Sequence, residues 1–499
     1  MTRTCAVSPH PEATALGNRL LEEGRSAAEA AVAMGAYLSV VMPHFCGIGG
    51  DAVWMVSDAS GQVRALTGIG QAFDFTSEVS DISPRGPLSI LTGAGAVSTW
   101  AEALRLFDVA PDLADLLGPA HQAARDGFVV TTSQEFWRNM RAGDMDNWPG
   151  FGPYAAAHAG EILKQPELAE TFALLIRDGL ASFYDGPLAS RLAQDLNALG
   201  TPVTQSDLSR TRARNEAPLR LLYKGATLFA PPPPTQGITT LQIMGILARL
   251  DAAEPQATRS TAQDYHLMVE AVKQAFLDRK ELGDRKDAAD WVTGLLSSGH
   301  LNACAARVNP EAALPWPEPY HQADTVYFAA RDAQGGCVSA LQSTYFDWGS
   351  GCVLSDTGVI WHNRGAGFSL DDGPNRLAPG QRPFHTLNPG IATRNGSPWL
   401  LYGTQGADGQ PQTLTVLLRG LIDRDLSPTE ALAQPRFLLG RTFSSNRDTL
   451  KIEPIGAEEE LADRGHTLEI LQSLSPLAGQ AGCLRIEGHD IKGAHDPRR

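Results

Sequence analysis

Nowhere does the 499-residue chain approach the roughly 18 uninterrupted apolar residues that a membrane-spanning helix needs. Residues 1 to 11 lack the long apolar core of a secretory signal, so a cytoplasmic protein is expected. Long charge runs and low-complexity tracts are missing as well, as in an ordinary soluble globular protein. Basic residues are outnumbered: 41 Lys and Arg stand against 56 Asp and Glu, a formal charge of −15. With a pI near 5.3, that balance argues against nucleic acid or an anionic membrane as partner. Cysteine is sparse. The six, at 5, 46, 304, 337, 352 and 483, include no Cys-x-x-Cys pair, and none is set with histidines at metal-ligand spacing. Free buried thiols are expected, Cys337 and Cys352 among them as small core residues. No cofactor or metal is implied.

What the chain does have is a threonine placed for chemistry. Thr325 follows Asp324 and opens an apolar run, Val326-Tyr-Phe-Ala-Ala330, that reads as a strand. A turn at Asp332-Ala-Gln-Gly-Gly336 leads to a second strand, Cys337 to Ser343. Folding the hairpin about Gln334 sets Ser343 opposite Thr325, on one face, where the two hydroxyls can meet. Without chemistry, the same pattern is a buried hairpin with two incidental hydroxyls. A threonine hydroxyl is a poor nucleophile unless a base lies beside it. Cutting the chain just before Thr325 would make its own α-amino group that base.

The text around the hairpin resembles the γ-glutamyltranspeptidase family. The resemblance runs from Asp324-Thr-Val-Tyr-Phe328 through Cys337-Val-Ser-Ala-Leu-Gln-Ser343, Gly349-Ser-Gly351, Asn363-Arg-Gly-Ala-Gly-Phe-Ser369 and Pro379-Gly-Gln-Arg-Pro383. It continues through Gly403-Thr-Gln-Gly-Ala407, Pro435-Arg-Phe437 and Gly493-Ala-His-Asp-Pro-Arg498. Upstream it takes in Gly47-Ile-Gly-Gly-Asp51, Ala124-Arg-Asp-Gly-Phe128 and Pro231-Pro-Pro-Pro-Thr-Gln-Gly237. It thus covers essentially the whole chain in the family's order. It implies the four-layer αββα sandwich of the N-terminal nucleophile hydrolases, an α+β fold. It also implies a precursor cut between Asp324 and Thr325 into a large subunit, 1–324, and a small catalytic subunit, 325–499, that stay one globule.

The chain's organisation is compatible with that fold. Residues 13 to 42 read as two helices separated at Gly24, and Gly47 to Val56 as a glycine turn and a strand. Residues 100 to 250 are mostly helical, tetraproline 231–234 is rigid and extended, and helices are expected at Thr239–Ala253 and Gln263–Leu277. The weakly patterned stretch from about 281 to 324 reads as an exposed linker leading into Thr325. Strands and glycine turns follow, then two helices, and terminal strands at Leu450–Ile452 and Cys483–Ile486. Gly47-Ile-Gly-Gly-Asp51 lacks the lysine of a phosphate loop and reads as a structural turn near the active site.

By the resemblance, Thr325 is the nucleophile, first on the carbonyl of Asp324 and then on a substrate amide. Ser343 is the hydroxyl that hydrogen-bonds it, and Gly406-Ala407 is the oxyanion turn in place of the family's Gly-Gly pair. The substrate-facing positions depart from the family. The stretch Gln71–Ser77 has no arginine to hold an α-carboxylate. Gly367 stands where an amine-binding Asp is expected, Tyr345 in place of an Asn, His385-Thr386 in place of paired serines, and Arg364 in place of a Gln. A pocket that loses a carboxylate and gains an arginine should prefer an acyl group with a carboxylate and no free amine, glutaryl-like or another amido acid. Arg364 as an ordinary ion-pair residue, and His385 and Tyr345 as core packing, are the alternatives. The expected partners are a small-molecule amide and a water or amine acceptor. A true γ-glutamyl transferase with a rebuilt pocket, or an unprocessed relative that only binds a ligand or partner, are the competing functions.

Overall fold

The computed structural model describes residues 3–316, 324–442 and 445–498. Among these, two six-stranded sheets lie face to face. The first runs, in spatial order, through strands Cys5–Val7, Asp324–Arg331, Cys337–Tyr345, Asp51–Ser57, Val63–Gly68 and Arg214–Glu216. The second runs Asp490–His495, Ala481–Glu487, Ser397–Thr404, Gly390–Arg394, Ala226–Ala230 and Leu219–Tyr223. The strands alternate in facing. Val326, Phe328 and Ala330 turn outward onto helices, whereas Tyr327 and Ala329 turn inward to an apolar layer shared with Val53, Leu401 and Leu484 of both sheets.

Helices Pro11–Glu22, Ala27–Val41 and Ala96–Leu106 cover the outer face of the first sheet. Gly237–Ala253, Thr261–Arg279 and Gln410–Leu418 cover the second. This is the four-layer αββα arrangement that the resemblance implies. Helix Ala27–Val41 is buried almost all round because its residues are small, and it starts at a capping box in which Ser26 and Glu29 satisfy each other's backbone N–H groups. No described helix is long and apolar enough to cross a membrane. All six cysteines are free thiols, five of them buried.

The hairpin keeps the predicted register for six pairs, from Cys337 opposite Arg331 to Gln342 opposite Val326. The register then shifts, so that Tyr345 rather than Thr344 faces Asp324. The irregularity falls opposite Thr325. At the other end the Asp332 carboxylate fixes the turn by accepting from the N–H groups of Gln334 and Gly336, and from Ala27 at the start of the buried helix.

The linker expectation for 281–324 needs correction. Two short helices, Ala288–Leu295 and Ser298–Ala306, occupy much of it, burying Val292, Leu295 and Leu301 at helical spacing, with Ser297 capping the second. Residues 309–316 are docked rather than loose. Leu314 donates its N–H to Glu270 and accepts from Lys273, and Trp316 packs its ring against Phe276. Residues 317–323, which complete the predicted linker, lie outside the described residues.

Candidate active site

Thr325 sits at the start of the inner hairpin strand, 1% exposed, with its Oγ1 buried and without a hydrogen-bond partner. It shares the facing of Tyr327 and therefore turns toward the space between the sheets. The bond expected from Ser343 to this hydroxyl is not formed; the Ser343 hydroxyl accepts the Tyr345 N–H at 2.8 Å. That bond holds Tyr345 at φ 79, a left-handed conformation unusual for an aromatic residue.

From Tyr345 a closed ring of contacts gathers the other predicted residues. The Arg364 guanidinium lies over the Tyr345 ring, 3.6 Å from its centre. Its Nη2 donates to Thr386 Oγ1 at 3.3 Å, while Nε and Nη1 are buried without an acceptor. Thr386 and Ala407 are tied together by Gln236, whose Nε2 donates to both backbone carbonyls at 2.7 Å. Ala407 in turn packs against Tyr345. Asn363 pins the loop that carries Arg364, since its Oδ1 accepts the Phe346 N–H and its own N–H donates to the Thr344 carbonyl.

The turn Gly406-Ala407 is left-handed at both residues, with φ of 113 and 44. The first value demands glycine, and the second tolerates alanine at some strain. Behind the turn Arg279 donates to Gln236 Oε1 at 3.1 Å and forms an ion pair with Asp408. A cavity of about 720 Å³ opens beside Gln405, walled by Phe136, Trp137, Met140 and Leu477. None of Tyr345, Arg364 or Thr386 lines it.

One participant was read from sequence only as part of a glycine turn. Asp51 lies opposite Ser343 on the neighbouring strand and is fully enclosed. Its carboxylate accepts the N–H groups of Gly70 and Gly95 at 3.1 and 3.0 Å, and approaches His385 Nε2 at 3.2 Å and His362 Nδ1 at 3.7 Å. Burial alone would push its carboxyl up; His362, His385 and the Gly70 amide outweigh that and hold it below the usual carboxylate range. Burial, then the nearby Arg364 charge, push His385 down to about 3, so its imidazole is neutral. The Leu387 N–H donates to Nδ1, leaving Nε2–H for Asp51. Both His385 nitrogens are thus used inside the protein. The expected substrate-binding histidine stands as a support behind Thr386. Gly50, beside Asp51, must be glycine, because a Cβ there would meet the Ser343 carbonyl oxygen at 2.4 Å.

Asp51→Asn would keep the one oxygen that accepts from Gly70 and Gly95 but set an amide N–H₂ against the His385 N–H. A loss of about 2 kcal/mol in stability is expected from the unmet buried donor, read as a lower Tm. A Tm equal to that of the wild type would remove Asp51 from its supporting role.

Residues 13–499 match the family model described as Gamma-glutamyltranspeptidase. The chain belongs to the γ-glutamyltranspeptidase family. Among its relatives, the oxamate amidohydrolase proenzyme of Klebsiella pneumoniae subsp. pneumoniae is 40% identical over all of this chain and 97% of its own length. The glutathione hydrolase-like YwrD proenzyme of Bacillus subtilis is 35% identical over the same shares. A cephalosporin acylase from Bacillus halodurans superposes with a TM-score of 0.90 at 28% identity, over 100% of this chain and 94% of its own. This γ-glutamyltranspeptidase-family chain is accordingly an amidohydrolase or acyltransferase with the N-terminal nucleophile fold, on its acylase-like side.

Proposed function

We propose that the protein cleaves itself before Thr325 and then hydrolyses the amide bond of a small carboxylated acyl amide, with oxamate, the half-amide of oxalate, as the smallest member of the class. The observation that carries this reading is Arg364. A guanidinium fully buried with two of its three nitrogens lacking an acceptor is costly, and burial pulls its pKa below the ordinary arginine value. A substrate carboxylate offers the missing acceptors in the bidentate geometry that arginine favours. The name of the Klebsiella relative agrees with an acyl group that has a carboxylate and no free amine.

Thr325 Oγ1 attacks the Asp324 carbonyl, the acyl group shifts from nitrogen to oxygen, and water hydrolyses the ester. This frees the Asp324 carboxylate and the Thr325 amine. That amine next takes the hydroxyl proton as Oγ1 attacks the substrate carbonyl, and delivers it to the leaving nitrogen. Two consecutive left-handed residues turn successive N–H groups into one concavity, which suits Gly406-Ala407 to receive the oxyanion. Water then releases the dicarboxylate from the ester on Thr325.

Product release from oxamate, a glutaryl anilide and a γ-glutamyl anilide, measured side by side, tests the reading. Turnover of the amine-free substrates with little of the γ-glutamyl anilide is expected. Preference for the γ-glutamyl anilide would instead mean a rebuilt γ-glutamyl pocket.

Gly367 supplies an independent check. A Cβ there would come no nearer than 3.4 Å to the Phe384 carbonyl oxygen, 3.6 Å to Arg364 Nη1 and 3.7 Å to Arg364 Cδ. Gly367→Asp should fit and pair internally with Arg364. The expected result is an unchanged or higher Tm together with a loss of roughly 100-fold in kcat/KM for the carboxylated amide. Undiminished kcat/KM would show that Arg364 does not hold the substrate.

A further inference from the structure

Away from the active site, Asp278, His300 and Cys304 bring three kinds of metal-ligating atom together, all within 4.8 Å of one another. His300 and Cys304 are one turn apart on helix Ser298–Ala306 and so project from the same face. Asp278 comes from the penultimate position of helix Thr261–Arg279, which packs on the first. His300 Nε2 lies 2.8 Å from Asp278 Oδ2 and 3.4 Å from Cys304 Sγ. Around a tetrahedral zinc ion, bond lengths near 2.0–2.3 Å put two ligand atoms roughly 3.3–3.6 Å apart. The His300–Cys304 pair thus has the spacing already, and Asp278 would move about half an ångström away from His300 to reach it.

We propose that these three side chains form a binding site for one divalent transition-metal ion of the zinc class. Imidazole, carboxylate and thiolate together match zinc in softness, and one carboxylate with one thiolate balances its two charges. Access is available, since the Asp278 and His300 side chains are 25% and 28% exposed while Cys304 is buried. Solvent can supply the fourth ligand. The surroundings orient the ligands. Gln242 Nε2 donates to Asp278 Oδ2 at 2.8 Å, and Arg307, itself held by Gln274, donates to Cys304 Sγ at 3.1 Å.

The other cluster of this kind, His266, Glu270 and His466, is a different case. There both His266 ring nitrogens are already engaged, by His466 and by the Asn309 carbonyl at 2.8 Å each, and the Lys273 ammonium lies 2.7 Å from Glu270. A metal at Asp278 would instead staple two helices next to Arg279, the residue that supports Gln236 and Asp408 behind the glycine turn.

Titration of chelator-stripped full-length protein with Zn²⁺ against a chromophoric competitor, and with Co²⁺ followed by absorption, tests the site. One equivalent per chain at micromolar affinity or tighter is expected, with a thiolate-to-cobalt charge-transfer band. Cys304→Ser should abolish the band. His300→Gln and Asp278→Asn should each weaken zinc at least ~10-fold, which outer-shell changes alone can reach. His266→Gln should change nothing. Absence of stoichiometric zinc, a cobalt spectrum without the thiolate band, or equal affinity in the Asp278, His300 and Cys304 variants would overturn the proposal.

Discussion

Thr325→Ala is expected to leave one uncut chain and to reduce amide hydrolysis on the order of 10⁴-fold or more, the scale seen when a catalytic nucleophile is removed. A hydroxyl enclosed at 1% exposure without a hydrogen-bond partner costs free energy, and losing it removes no bond that the fold uses. The variant should therefore be as stable as the parent, which separates lost chemistry from lost structure. The hydroxyl sits opposite the shift in register between Gln342 and Tyr345, where the regular ladder no longer fixes the backbone. Attack on the preceding carbonyl needs such local freedom. Thr325→Ser keeps the nucleophilic atom and should still divide into two fragments. Electrophoresis of both variants beside the parent reads the outcome. A cleaved Thr325→Ala chain would take the first step away from this residue.

Arg364→Gln should reduce kcat/KM for the carboxylated amide roughly a thousandfold, about 4 kcal/mol, with self-cleavage intact. Glutamine can still reach Thr386 Oγ1 but cannot present two parallel donors to a carboxylate. In the absence of substrate the change removes a buried charge with two unmet nitrogens, so the Tm should hold or rise. Opposite movements of stability and activity are the signature of a residue kept for its ligand. If stability fell and kcat/KM survived, Arg364 would be an ion-pair residue of the core, the alternative that the sequence left open. Steady-state kinetics and a melting curve on the same preparation decide between them.

Much of this was legible in the sequence because it depends on short-range regularities. Turn residues at 332–336 and the period of two on either side determine the register of the hairpin as far as Gln342. The bulge beyond it depends on how Asp51, Tyr345 and Asn363 pack, and no local pattern announces that. Asp51 was visible only as the residue after a glycine turn. Its meaning comes from Gly70, Gly95, His362 and His385, which reach it from far along the chain. The stretch after 281 misled for a different reason. Its helices are only 8 and 9 residues long, so their apolar positions make too few turns to establish a period. Missing helix Ser298–Ala306 also hid the one-turn relation between His300 and Cys304.

The central claim, that Thr325 becomes an N-terminal nucleophile for a carboxylated acyl group, is tested most directly by the mass of the protein quenched with acid during turnover of oxamate. Two fragments are expected, the smaller beginning at Thr325 and carrying the mass of the acyl group on that residue, with no adduct in Thr325→Ala. A single unmodified chain, or an adduct located on any other residue, would contradict it.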